Sequence, residues 1–155
     1  MKIYFAGSIR RGRYDAALYY EIVKQLQNYG EVFTEHIGNP VLSALGEDIG
    51  DRKIQDRDLG WLRAADYLVA EVTSPSLGVG YEIGKATEWE KPVLCLYRPD
   101  KGGKGRSLSA MISGSNAVTV REYQDLAELT DIFEEFLSLH KALEEETDQL
   151  ANSTQ

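Results

Sequence analysis

Two carboxylates, a tyrosine and two polar, glycine-bearing turns are the parts of this 155-residue chain whose types and spacing could do chemistry. The stretch "EVTSPSLGVGYEIG" (71–84) leaves an apolar run, passes Pro75, two serines and two of its three glycines, and then sets Glu82 in what the spacing predicts to be the first turn of a helix. Glycine lets a backbone come close to a ligand, and the free N–H groups at a helix start attract anions. Ser76 and Gly78 therefore read as one side of a phosphate cradle, with a carboxylate beside it. Alone, Glu82 has an ordinary explanation, an acidic residue complementing the helix dipole. Asp58, in "QDRDLGW", is by itself an exposed helix charge. As a pair they fit glycoside cleavage, which needs one carboxylate as nucleophile and a second group as acid.

"GSIRRGR" (7–13) gathers Gly7, Ser8, Arg10 and Arg13 in an otherwise acidic chain. Amides, a hydroxyl and guanidinium groups converging there would hold a phosphate by charge-assisted hydrogen bonds, where a bland reading sees a solvated turn. Tyr4 alternates with Ile3 and Phe5 on the preceding strand, as a core tyrosine would. His36, closing "TEH", is too isolated for a metal site, and no His/Cys/Asp cluster has metal-binding spacing. Gly78, Gly80 and Gly84 give G-x-G-x-x-x-G, one residue too long for the dinucleotide fingerprint, and no G-x-x-x-x-G-K-[ST] is present.

These residues need a scaffold. "KIYFAG" (2–7), "EVFTEH" (31–36), "YLVAEV" (67–72), "PVLCLY" (92–97) and "AVTV" (117–120) read as strands. Between them lie helices: one with Leu18, Ile22, Leu26 and Tyr29 on its inner face and Gly30 as its stop, one with Ile54, Leu59 and Leu62 inward, and a third over "VGYEIGKATEWE". A last helix opens on Asp125 with Glu128 three residues on, a capping-box pair, and carries Leu126, Leu129, Ile132, Phe133, Phe136 and Leu137. The alternation predicts an α/β fold: a single-domain, Rossmann-like (flavodoxin-like), five-stranded parallel sheet flanked by helices. The domain is expected over 1–140, with 141–155 a disordered acidic tail and "DKGGKGRS" (100–107) a loop able to act as a lid. In such sheets ligands bind outside the carboxyl ends of the strands, where all the polar turns above would fall.

Composition narrows the function. A net charge of −8 argues against a nucleic-acid polymer as partner, since phosphate backbones need clustered Lys and Arg. The single cysteine, Cys95, reads as a buried strand thiol in a reducing compartment. No secretory or membrane-spanning run is seen, so a cytoplasmic location is expected, with the nucleus open to a eukaryotic protein.

Taken together, "YFAGSIRRGR", "TEH", "QDRDLGWL", "AADYLVAEV", "PSLGVGYEIG", and "LCLYRP" followed by "LSAMI" closely resemble the 2′-deoxynucleoside 5′-phosphate N-hydrolases, relatives of the nucleoside 2-deoxyribosyltransferases. The resemblance runs from about residue 2 to residue 123. It implies that Glu82 attacks the anomeric carbon to give a covalent deoxyribosyl 5-phosphate intermediate, that Asp58 donates a proton to the leaving base, and that Tyr4 orients the nucleophile. It further implies that Gly7, Ser8, Ile9, Arg10, Ser76 and Gly78 form the 5′-phosphate pocket; Arg13 and His36, at the ends of the first two strands, are counted with the substrate-binding residues. Ser109, in "LSAMI", matches a serine contributed from the neighbouring subunit, so a homodimer is expected. Such chemistry needs no metal and no cofactor.

Three other readings share these features. A transferase would pass deoxyribose to another base, a ribonucleotide (CMP-type) N-glycosidase would accept a 2′-hydroxyl, and a nucleotide sensor would bind without turnover. A Ser- and Arg-rich phosphate pocket argues against free nucleosides, and the presence of every proposed catalytic position argues against the sensor.

Overall fold

The computed structural model describes residues 1–8, 15–33, 50–99 and 108–152. The chain runs β1 (Lys2–Ala6), α1 (Ala16–Leu26), β2 (Glu31–Phe33), α2 (Asp51–Ala64), β3 (Tyr67–Glu71), α3 (Leu77–Glu88), β4 (Val93–Tyr97), α4 (Ala110–Ser113), β5 (Thr119–Glu122), a 3₁₀ turn (Leu126–Glu128) and α5 (Leu129–Asn152). The five strands form one sheet in the order β2-β1-β3-β4-β5, every neighbouring pair parallel. This is the expected α/β architecture. The order reverses between β1 and β3, so their carboxyl ends flank the crevice in which such sheets bind ligands.

Strand alternation divides the core in two. Ile3, Phe5, Tyr67, Val69, Leu94 and Leu96 point to the side covered by α1 and α5, where they meet Tyr19, Ile22, Leu26, Phe133 and Phe136. Tyr4, Ala6, Leu68, Ala70, Val93 and Cys95 point to the side of α2 and α3, against Leu62, Val79, Ile83 and Ala86. β3 and β4 are buried along their whole length, which is why both read as unbroken apolar runs. Cys95 is fully buried among them, and burial pushes its thiol up to about 12, so it behaves as a core side chain.

Several boundaries depart from the sequence reading. α1 ends at Leu26 with Gln27 as its cap, so Gly30 is not the helix stop. Its place is set by close approach: a Cβ there would lie 2.3 Å from the Met1 carbonyl oxygen. β5 begins two residues later than expected, at Thr119. On α2 only Leu62 is fully buried, Leu59 is part-buried against the core, and Ile54 is part-buried. The capping box on Asp125 and Glu128 is present as expected and opens the 3₁₀ turn that leads into α5. Helical backbone continues past Lys141 to Asn152. The loop 100–107 and the end of "EVFTEH" lie outside the described residues.

Candidate active site

Three elements converge at the carboxyl edge between β1 and β3. α3 starts two residues earlier than the sequence suggested, because Ser76 caps it: the Ser76 hydroxyl accepts the Val79 amide at 3.4 Å. Glu82 therefore sits in the second turn, and no acidic residue occupies the first. The helix-dipole explanation of Glu82 loses its footing, since that effect fades beyond the first turn. Tyr4, buried in the centre of the sheet, donates its hydroxyl to Glu82 Oε1 at 2.6 Å across 78 residues of sequence. The tyrosine that alternation alone would assign to core packing is also the partner of the carboxylate.

Asp58 on α2 shares this side of the sheet, and its charge acts on both Glu82 and Tyr4. It is paired with its neighbour Arg57, whose Nε and terminal nitrogen reach Asp58 Oδ1 at 2.9 and 2.8 Å. The Arg57 guanidinium lies 4.7 Å from the centre of the Trp61 ring, which in turn stacks on Phe33 at the end of β2. Sequence reasoning passed over Arg57 and Trp61; a cation and an aromatic one helical turn apart were the available signal.

Gly7 and Ser8 follow β1 directly, and Ser8 is buried. Ser76 and Gly78 flank Leu77 at the start of α3, where the first amides have no intrahelical acceptor. A Cβ on Gly78 would find only the Ser76 hydroxyl, at 3.8 Å, so no packing against the described residues demands a glycine there. Close approach of a ligand is what the bare backbone leaves room for. Ser109 caps α4, accepting the Met111 amide at 3.3 Å. Ile9, Arg10, Arg13 and His36 lie outside the described residues.

A sequence model of the nucleoside 2-deoxyribosyltransferase family matches residues 3–112, the span that holds all of these positions. The chain belongs to that family. Among family relatives, a 5-hydroxymethyl-dUMP N-hydrolase of Tetraodon nigroviridis is 52% identical over 147 residues, covering 91% of this chain and all of the relative. A human protein of the same name is 54% identical over 115 residues, covering 73% of this chain and 64% of its own. Among solved structures, a 2-deoxyribosyltransferase from Bacillus psychrosaccharolyticus shares the fold with a TM-score of 0.62 at 17% identity, over 84% of this chain and 90% of the other.

Within this family member the electrostatics of the central pair are unequal. Burial pushes the Glu82 carboxyl up to about 7; the negative charge of Asp58 adds to the rise, and the Tyr4 hydroxyl opposes it. Burial, then the Glu82 charge, hold the Tyr4 proton well above its ordinary range, so Tyr4 is a donor at all working pH values. Glu82 is thus poised to exist as an anion near neutrality while poorly solvated, the state in which a carboxylate is most reactive. Among the described residues no group of three or more His, Cys, Asp or Glu could hold a metal ion, and no helix is long and apolar enough to cross a membrane.

Proposed function

We propose that the protein hydrolyses the N-glycosidic bond of 2′-deoxynucleoside 5′-monophosphates, releasing the base and 2-deoxyribose 5-phosphate. The observation that carries this reading is the 2.6 Å contact between Tyr4 and Glu82, a half-buried carboxylate held by a neutral donor near the ligand-binding edge of the sheet. The names borne by its half-identical relatives point to the same substrate class, with 5-hydroxymethyl-dUMP the first candidate.

In this mechanism Glu82 attacks the anomeric carbon as the bond to the base breaks, and the base leaves with a proton. Water then cleaves the glycosyl ester, returning Glu82 as the carboxylate and giving the sugar its hydroxyl. Tyr4 fixes which oxygen of Glu82 faces the sugar. Asp58 serves the leaving base, with Arg57 orienting its carboxyl group through Oδ1. The 5′-phosphate sits on Gly7, Ser8, Ser76, Gly78 and the first amides of α3, with Ile9, Arg10, Arg13 and His36 completing the substrate contacts. No metal or cofactor takes part.

The active form in this reading is a homodimer in which Ser109 completes the neighbouring site. Leu77 and Met111, 97% and 83% exposed, support it, because both follow proposed substrate contacts within two residues. A second subunit laid over the site's rim would cover both side chains. A cytoplasmic setting fits the one buried, unpaired cysteine.

The test is a screen of deoxynucleoside monophosphates, with GMP and CMP beside them, for free base and sugar phosphate, run with and without an acceptor base. Hydrolysis of the deoxynucleotides is expected, and Glu82→Ala should abolish it while binding persists. Efficient transfer to the acceptor, preference for CMP, or substantial turnover by the alanine variant would refute the corresponding part.

A further inference from the structure

Behind the anion cradle, on the face of the sheet opposite Glu82, lies a carboxylate the proposed reaction does not use. Glu71, the last residue of β3, is fully buried. Its Oε1 accepts the hydroxyls of Thr73 and of Tyr123, the latter at 3.1 Å, and its Oε2 accepts the Thr73 amide at 3.3 Å. Thr73 Oγ1 in turn accepts the Arg98 amide at 2.8 Å. The Arg98 guanidinium reaches Asp15 Oδ1 at 2.9 Å, and the Ser74 hydroxyl donates to the other oxygen of Asp15 at 3.4 Å. One polar chain therefore ties the segment just past β5, the end of β3, the residue after β4 and the start of α1 to the turn that leads into Ser76.

This arrangement suits a carboxylate, whose two acceptor oxygens meet three donors. The Thr73 hydroxyl accepts from the Arg98 amide and donates to Glu71, while the Thr73 amide takes a second acceptor on the same side chain. A glutamine would set its NH₂ either against the Thr73 amide or against the hydroxyls of Thr73 and Tyr123, and in each orientation a donor that Glu71 now satisfies loses its acceptor. Burial raises the Glu71 pKa and Asp15 adds to the rise, whereas Thr73, Tyr123 and Arg98 favour the anion.

We propose that Glu71 is a positioning residue for phosphate recognition: by fixing Thr73 from beneath, it holds the 73–76 turn so that Ser76 and the first amides of α3 meet the 5′-phosphate. The inference deepens the proposed function and rests on its phosphate pocket. It assigns the preference for a phosphorylated substrate partly to a residue that never touches the phosphate.

The experiment compares wild type, Thr73→Val, Thr73→Ser and Glu71→Gln on 5-hydroxymethyl-dUMP and on the unphosphorylated nucleoside, with calorimetric binding of 2-deoxyribose 5-phosphate alongside. Thr73→Val and Glu71→Gln should raise KM for the nucleotide and Kd for the sugar phosphate about tenfold, with kcat within about threefold and kcat/KM for the nucleoside unchanged. Thr73→Ser keeps the hydroxyl and should match wild type. If Glu71→Gln does not fold, Thr73→Val and Tyr123→Phe carry the test. A folded Thr73→Val protein that binds the sugar phosphate as wild type does would overturn the inference. So would variants that lose nucleotide and nucleoside turnover in the same proportion, the mark of general loosening. Wild type that treats nucleotide and nucleoside alike would instead overturn the phosphate pocket, and this inference with it.

Discussion

Replacing Glu82 by glutamine should make the protein more stable at pH 8 while removing its activity. Folded Glu82 keeps its proton up to about 7, whereas in an unfolded chain it would release it near the ordinary 4.5. Stability associated with this group is therefore fully present below about 4.5 and is lost as the pH rises through about 7. At 1.36 kcal/mol for each pH unit between those two values, the full loss is on the order of 3 kcal/mol. Glutamine avoids the loss, since it carries no charge to desolvate and its carbonyl oxygen can still accept from Tyr4. Urea unfolding of both proteins at pH 4 and pH 8 measures it directly, because contributions from the other acidic residues cancel in the difference. Near-equal stability is expected at pH 4 and a higher midpoint for Glu82→Gln at pH 8. A glutamine variant equal to or weaker than wild type at pH 8 would show that Glu82 is well solvated, and the account of its reactivity would fall with it.

Two further outcomes follow from the same geometry. The kcat/KM of wild type should rise with pH to a plateau with its midpoint near 7, as Glu82 ionises. Tyr4→Phe removes a hydrogen bond to the anion and should move that midpoint up by about one pH unit; an unchanged profile would remove Tyr4 from its role. For the assembly, mixing inactive Glu82→Ala with an inactive bulky variant at Ser109 should restore activity through heterodimers that hold one intact site. No recovery despite demonstrated subunit exchange would show that each chain builds its site alone.

Where side chains obey a simple period, the sequence announced the structure. The doubly buried strands β3 and β4 are apolar throughout, and the inner face of α5 is marked by Leu129, Phe133, Phe136 and Leu137, so both could be read directly. The start of α3 could not, because two serines and a proline precede it and only the fold selects Ser76 as the cap. That two-residue difference changed the meaning of Glu82, from a residue in the helix's charged first turn to one desolvated beyond it. The contact between Tyr4 and Glu82 depends on parallel register between β1 and β3 and on how α3 returns across them, which no local pattern encodes. Glu71 had a visible signal, an acidic residue inside "YLVAEV", but its meaning rests on Arg98 and Tyr123 arriving from two other segments to meet it and its neighbour Thr73.

The location of Tyr4 on β1 joins two kinds of constraint. β1 pairs on both edges, with β2 and β3, and four of its five residues are buried, so it belongs to the last part of the molecule to open. In the proposed mechanism, the group that aims the nucleophile thus inherits its accuracy from the folding core. Ser109, by contrast, caps a four-residue helix with no buried side chain. Substitutions around α4 therefore disturb the packed core less than substitutions in β1, so divergence among family members should gather at the rim and spare the centre.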